Sequence, residues 1–192
     1  MRRTTMLVVC TIALALCAGS AWAAVTTPGP DTLKVDYFAN ANTAGAPDGT
    51  YRLTNPGTAG GSLCAAIYVF DPNQELSECC SCYLSPDGLR TLSVNTDLTG
   101  NPLTGVILST GVVKIVSTPT RGGVCPLPTS LTPTAGIRSW GTHIQNSNFA
   151  ITETASQDAT LSAAEVSRLQ CECYAIQLDG SQKGVCTCGT GD

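Results

Sequence analysis

Apolar and polar side chains alternate along most of this chain with the two-residue period of half-buried strands. Thr32 to Phe38 sets Leu33, Val35 and Tyr37 against Lys34, Asp36 and Phe38, and Thr50 to Leu53 is a second, shorter strand segment. Leu63 to Phe70 reads LCAAIYVF and is apolar on both faces, the pattern of a strand covered on both sides at the centre of a sandwich. Cys82 to Leu84 and Leu89 to Val94 flank Ser85-Pro86-Asp87-Gly88. Proline at the first central position and glycine after it predict a turn there, so the two segments read as a hairpin. Val106 to Leu108 and Val112 to Val116 add β-branched strands around Thr110-Gly111, and Ile137 to Ile144 and Phe149 to Thr154 form a further pair.

One segment has helical character. Ser162 and Glu165 have capping-box spacing and Leu161 can pack on Val166 as a hydrophobic staple, which predicts a short helix ending near Gln170. Asp71-Pro72 starts a turn, with Asp71 as a cap candidate and Glu75 and Glu78 near the start of one helical turn or an irregular loop. Ser117 to Gly136 carries Pro119, Pro126, Pro128 and Pro133 and reads as a long extended loop tied down near Cys125. About eight short strands separated by turn signals, with one late helix, predict a mainly β fold: an antiparallel β-sandwich, immunoglobulin-like or jelly-roll-like, over residues 33–192. Residues 24–32 are Thr/Pro-rich and read as a flexible lead-in.

The chain closes on a cysteine palindrome: Cys171-Glu172-Cys173, then Asp179-Gly180, then Cys186-Thr187-Cys188. Were Asp179 and Gly180 the centre of a tight turn, Cys173 would face Cys186 and Cys171 would face Cys188 across a terminal hairpin. Both pairs would fall at closely spaced, non-hydrogen-bonded sites suited to disulfides. The Cys173–Cys186 rung is the firmer, because the capped helix can overrun Cys171.

The N-terminus changes the chemical setting. Arg2-Arg3, an apolar run from Met6 to Cys17 and Ala21-Trp22-Ala23 have the three-part form of a secretory signal peptide, with cleavage expected between Ala23 and Ala24. The apolar run is shorter than a spanning helix requires. Cleavage removes two of the ten basic residues and none of the fourteen acidic ones, leaving eight against fourteen and a formal charge of -6. The remaining basic residues are scattered, which argues against nucleic acid as a partner. Charged residues make up only 12% of the chain, so surface polarity comes largely from hydroxyl and amide groups.

Nine of the eleven cysteines survive processing: Cys64, Cys79, Cys80, Cys82, Cys125, Cys171, Cys173, Cys186 and Cys188. Export makes disulfides the default, and an odd number leaves one thiol without an internal partner. Adjacent Cys79 and Cys80 should bond to different partners, since successive strand side chains point to opposite faces. One arrangement joins Cys64 to one of Cys79, Cys80 and Cys82, and Cys125 to another. The competing reading is a soft-metal thiolate site, disfavoured because C-x-C is tighter than structural zinc spacing.

Other chemistry is thinly represented. His143 is the sole histidine, has no nucleophile motif around it and reads as structural or surface. Asp71-x-Asn73-x-Glu75 has the opening spacing of a calcium loop but lacks its glycine and terminal glutamate. No cofactor is implied.

The string LCAAIYVFDPNQELSECCSCYLSPDGLRTLSVN, with the terminal GVCTCGTGD, resembles small cysteine-rich secreted bacterial proteins that carry no assigned activity. The resemblance covers most of the processed chain and implies secretion alone. Together these features point to a secreted, non-enzymatic protein, extracellular, at the cell surface or in the periplasm, of surface structure, adhesion or assembly, partnered by its own copies or by surface proteins and glycans. In a sharper form of this reading, Leu33, Val35 and Tyr37 lie on an edge strand that exchanges between subunits. The alternatives are a secreted thiol or metal protein using the cysteine cluster and, third, a hydrolase using His143.

Overall fold

The computed structural model describes residues 30–179 and 183–191; the expected signal peptide and Ala23–Ala24 cleavage site, and most of the expected lead-in, lie outside them. Ten strands occur among the described residues: β1 (Leu33–Phe38), β2 (Thr50–Thr54), β3 (Leu63–Phe70), β4 (Leu76–Leu84), β5 (Leu89–Ser93), β6 (Gly111–Pro119), β7 (Arg138–Gln145), β8 (Ala150–Ala155), β9 (Gln157–Asp158) and β10 (Thr190–Gly191). One α-helix, α1 (Ala163–Asp179), follows β9. The strands form two antiparallel five-stranded sheets, in the orders β4-β3-β6-β1-β9 and β10-β5-β2-β7-β8. No helix among the described residues is long and apolar enough to cross a membrane.

The pleat of β3 explains the layering. Leu63, Ala65, Ile67 and Val69 enter a cluster shared with Tyr51 and Leu53 of β2 and Leu92 of β5, so the two sheets face one another across one core. Ala66, Tyr68 and Phe70 point the other way, into a second cluster with Leu161, Leu169, Cys173 and Ile176 of the helical layer. The chain thus stacks sheet, sheet and helix. All eight residues of β3 are buried, as its doubly apolar sequence requires. Removing Leu, Ile and aromatic side chains from water on both faces stabilises by roughly 1.5–3 kcal/mol each.

Helix α1 starts where the sequence places it. Ser162 Oγ accepts the Glu165 amide at 3.1 Å, and Leu161 and Val166 meet in the same cluster. It does not stop near Gln170. Val166, Leu169, Cys173 and Ile176 recur at helical spacing and continue the buried stripe, so the helix runs through Cys171 and Cys173 to Asp179. The terminal hairpin of the sequence reading is therefore absent: its first arm is helical, and part of its turn lies outside the described residues.

Other expectations are also corrected. The triple-cysteine segment is one strand from Leu76 to Leu84, not an irregular loop followed by a short strand. β4 and β5 do not pair with each other, because the turn at Pro86-Asp87 carries the chain from one sheet to the other. Val106 to Leu108 is not a strand. The proline-rich loop lies over the helical side of the first sheet, where Tyr68 Oη donates to the Pro128 carbonyl at 2.6 Å.

Candidate functional site

The pleat of β4 distributes its cysteines. Cys79 points to the helical layer, and Cys80 and Cys82 point between the sheets. Cys79 bonds to Cys173 on α1, Cys80 to Cys186, Cys82 to Cys188, and Cys64 on β3 to Cys125 in the proline-rich loop, with Cα–Cα distances of 5.2–5.9 Å. The separation of Cys79 from Cys80 by strand parity is observed. The pairings Cys173–Cys186 and Cys171–Cys188 are not, and neither is a bond from Cys64 or Cys125 to the cluster. The two C-x-C motifs that face each other are Cys80/Cys82 and Cys186/Cys188, which run in the same direction rather than mirroring one another. Cys171 is engaged as well and is not a free thiol. The Sγ atoms of Cys80, Cys82 and Cys188 lie within 4.8 Å of one another. They belong to two neighbouring disulfides, so they could act as thiolate donors only after reduction.

These two bonds fix a C-terminal strap along the outer margin of β4. The Cys79 amide donates to the Gly184 carbonyl at 2.9 Å, and the Gly184 amide donates to the Asn101 carbonyl at 2.7 Å. Farther along, the Thr187 amide donates to the Asp97 carbonyl at 2.9 Å, and Thr190 and Gly191 then join the second sheet beside β5. The strap therefore ties one margin of each sheet to the other. Beneath its start lies Glu78, fully buried. Its Oε1 accepts the Asn101 amide at 3.0 Å, while Oε2 has no partner among the described residues. Burial is the main cause that lifts the Glu78 carboxyl to about 7, against a smaller downward pull from the Asn101 amide.

A second polar cluster holds the opposite margin. Asp36 on β1 accepts the Tyr37 amide through Oδ1 at 2.9 Å and the Ser156 hydroxyl through Oδ2 at 2.8 Å. His143 Nε2 lies 3.3 Å from Asp36 Oδ1 and 2.8 Å from Thr154 Oγ1, and its ring stacks on Tyr37 with centroids 4.3 Å apart. Ser156 is the point at which the chain leaves β8 in one sheet for β9 in the other, so the carboxylate pins that crossover. Gly141 makes room for it, because a Cβ there would lie 2.5 Å from Asp36 Oδ2. A groove of about 290 Å³ opens beside this cluster, lined by Val35, Tyr37, Val112, Thr154 and Gln157 among others.

The geometry bears on the hydrolase idea. A relay of nucleophile, histidine and acid needs the hydroxyl and the carboxylate on opposite ring nitrogens. In this cluster Thr154 and Asp36 both approach Nε2, and Nδ1 is buried without a partner. What the arrangement does is cross-link β1, β7 and the β8–β9 crossover. His143 is buried, at 3% exposure, so it is not the surface residue that one half of the expectation allowed.

The remaining predicted residues disperse. β1 is not an edge strand, since β6 pairs with all six of its residues and β9 with Lys34 and Val35. Leu33 is buried, Val35 half-buried and Tyr37 exposed. The Asp71 carboxylate is occupied in its own turn, where Oδ1 accepts the Asn73 and Glu75 amides at 2.8 Å each. Sequence reasoning missed Asp36, Ser156 and Glu78. Asp36 alternates like a solvent-facing residue, and only Gly141 across the core hints that something needs space there. Comparison with protein-family models, with curated proteins and with solved structures finds no match to this chain.

Proposed function

We propose that this protein is an extracellular, non-enzymatic structural module that serves in surface assembly or adhesion. One observation carries the reading: three segments outside the sheets, namely the proline-rich loop, α1 and the C-terminal strap, are each disulfide-bonded to β3 or β4. Such lacing suits an oxidising environment and restricts the unfolded chain; a single bond closing a loop of this length contributes ~4 kcal/mol in the chain-entropy model, and a further bond across an already closed loop contributes less. The signal-like N-terminus and low surface charge support the same compartment, with surface proteins, glycans or further copies of the chain as partners. Non-sequential neighbours such as β3-β6-β1 and β5-β2-β7 support an immunoglobulin-like or jelly-roll-like sandwich as part of the reading.

The proximity of Cys80, Cys82 and Cys188 favours a second reading, a soft-metal protein that works in the reduced state. Thiol counting under denaturing conditions, on protein from its native host, separates the two. At most one free thiol per chain is expected of the structural module, and four or more would overturn it. Cell fractionation completes the test, since a protein retained in the cytoplasm is not the module described.

A further inference from the structure

Each sheet has two margins, and three of the four are managed. β4 is covered by the strap, and β9 and β10 are two residues long. The fourth, β8, is six residues long, exposed throughout and, among the described residues, paired only with β7. Soluble proteins blunt such margins with proline, lysine, a bulge or a covering element. β8 reads Ala-Ile-Thr-Glu-Thr-Ala and has none of these, and its one charge, on Glu153, is matched by Arg52 at 2.6 Å.

We infer that β8 is the surface through which two copies of this chain associate, edge against edge and antiparallel, joining their second sheets into one. The phase of the β7–β8 ladder is set by the hydrogen bond from the Ser156 amide to the Ser139 carbonyl, 2.9 Å. Bonded pairs recur at every second position. Ala150, Thr152 and Thr154 therefore use their backbone groups on β7, and Ile151, Glu153 and Ala155 turn theirs to the open side, where they have no backbone partner among the described residues.

A two-fold axis normal to the sheet keeps the same face up in both copies, so paired residues are either both odd or both even in number. Two registers engage the open groups well. One sets Glu153 directly against Glu153 of the second copy, and like charges opposite one another are unfavourable. The other sets Ile151 against Glu153 of the second copy and Thr152 against its own counterpart, with no like-charge pair. The charge pattern selects the second register. An edge-only contact is small, so the dimer is weak and forms at high concentration. This extends the structural reading above, and the two fail separately, because a strictly monomeric chain can still be a disulfide-laced extracellular module.

Sedimentation of the purified chain from about 10 μM to about 1 mM tests it. A concentration-dependent dimer is expected. Ile151→Pro removes an amide only on the open side, and Thr152→Lys sets two like charges opposite one another. Each should raise the dimer Kd about tenfold or more, with about 1 M salt rescuing Thr152→Lys but not Ile151→Pro. Circular dichroism checks that both variants fold, and if Ile151→Pro does not, Thr152→Lys decides alone. A chain that stays monomeric at about 1 mM, or a dimer that the folded variants leave unweakened, overturns the inference.

Discussion

Glu78 makes the folded state sensitive to pH in a direction opposite to most carboxylates. Its side chain is fully buried on β4, one oxygen accepts a single amide and the other has no partner among the described residues. Burial lifts its pKa from 4.5 to about 7, so between those values the folded chain holds a proton that the unfolded chain has released. Stability is then fully present below pH 4.5 and declines as pH rises toward 7. At about 1.4 kcal/mol per unit, the loss is about 3 kcal/mol. Glu78→Gln keeps a carbonyl for the Asn101 amide and cannot ionise. Guanidinium unfolding of both proteins with disulfides intact, from pH 4 to pH 8, gives the comparison. The two should be nearly equal near pH 4, and the variant should be the more stable by about 3 kcal/mol at pH 8. Other titrations are shared and cancel in the difference. Parallel profiles for the two proteins would refute the reasoning.

Two further outcomes follow from packing and connectivity. The Cys80–Cys186 and Cys82–Cys188 bonds each close a separation of 106 residues, and with one in place the other encloses only a ring of a few residues. With Cys79–Cys173 intact, the first of the two closes an effective loop of only about 16 residues, so replacing either pair by serine should cost about 2 kcal/mol and replacing both about 5 kcal/mol in denaturant unfolding; a cost of about 4–5 kcal/mol for either single pair would contradict the shared-loop argument. Gly141→Ala drives a methyl group into the Asp36 carboxylate and should destabilise by about 1–3 kcal/mol. Gly61→Ala, with open space around the added carbon, is the control, and equal thermal midpoints for the two would show that Gly141 makes no room for Asp36.

The local elements were legible because they depend on neighbours in the chain. Period-two alternation marks β1, β2 and the β7–β8 pair, the doubly apolar run marks β3, and Ser162 with Glu165 marks the start of α1. Glu78 and Ser77 hid the first half of β4, since a strand with buried polar residues does not look like one until its covering partners are known. The palindrome misled for a related reason. A mirror-symmetric spacing is compatible with a hairpin, but Val166, Leu169, Cys173 and Ile176 recur at helical spacing and as a helix join one cluster with residues of β3 and β4, a contact that the symmetry of a spacing does not reveal.

The sequence by itself determined the mainly antiparallel β character, the late helix and the need for Cys79 and Cys80 to face opposite layers, because side-chain parity in a strand is a local property. Only the tertiary structure decided which cysteines meet, that the polar face of β1 turns inward onto His143, and that β8 rather than β1 stands at a sheet margin among the described residues. Those are contacts between residues distant in the chain, and their choice depends on how two sheets and a helix share a limited buried volume.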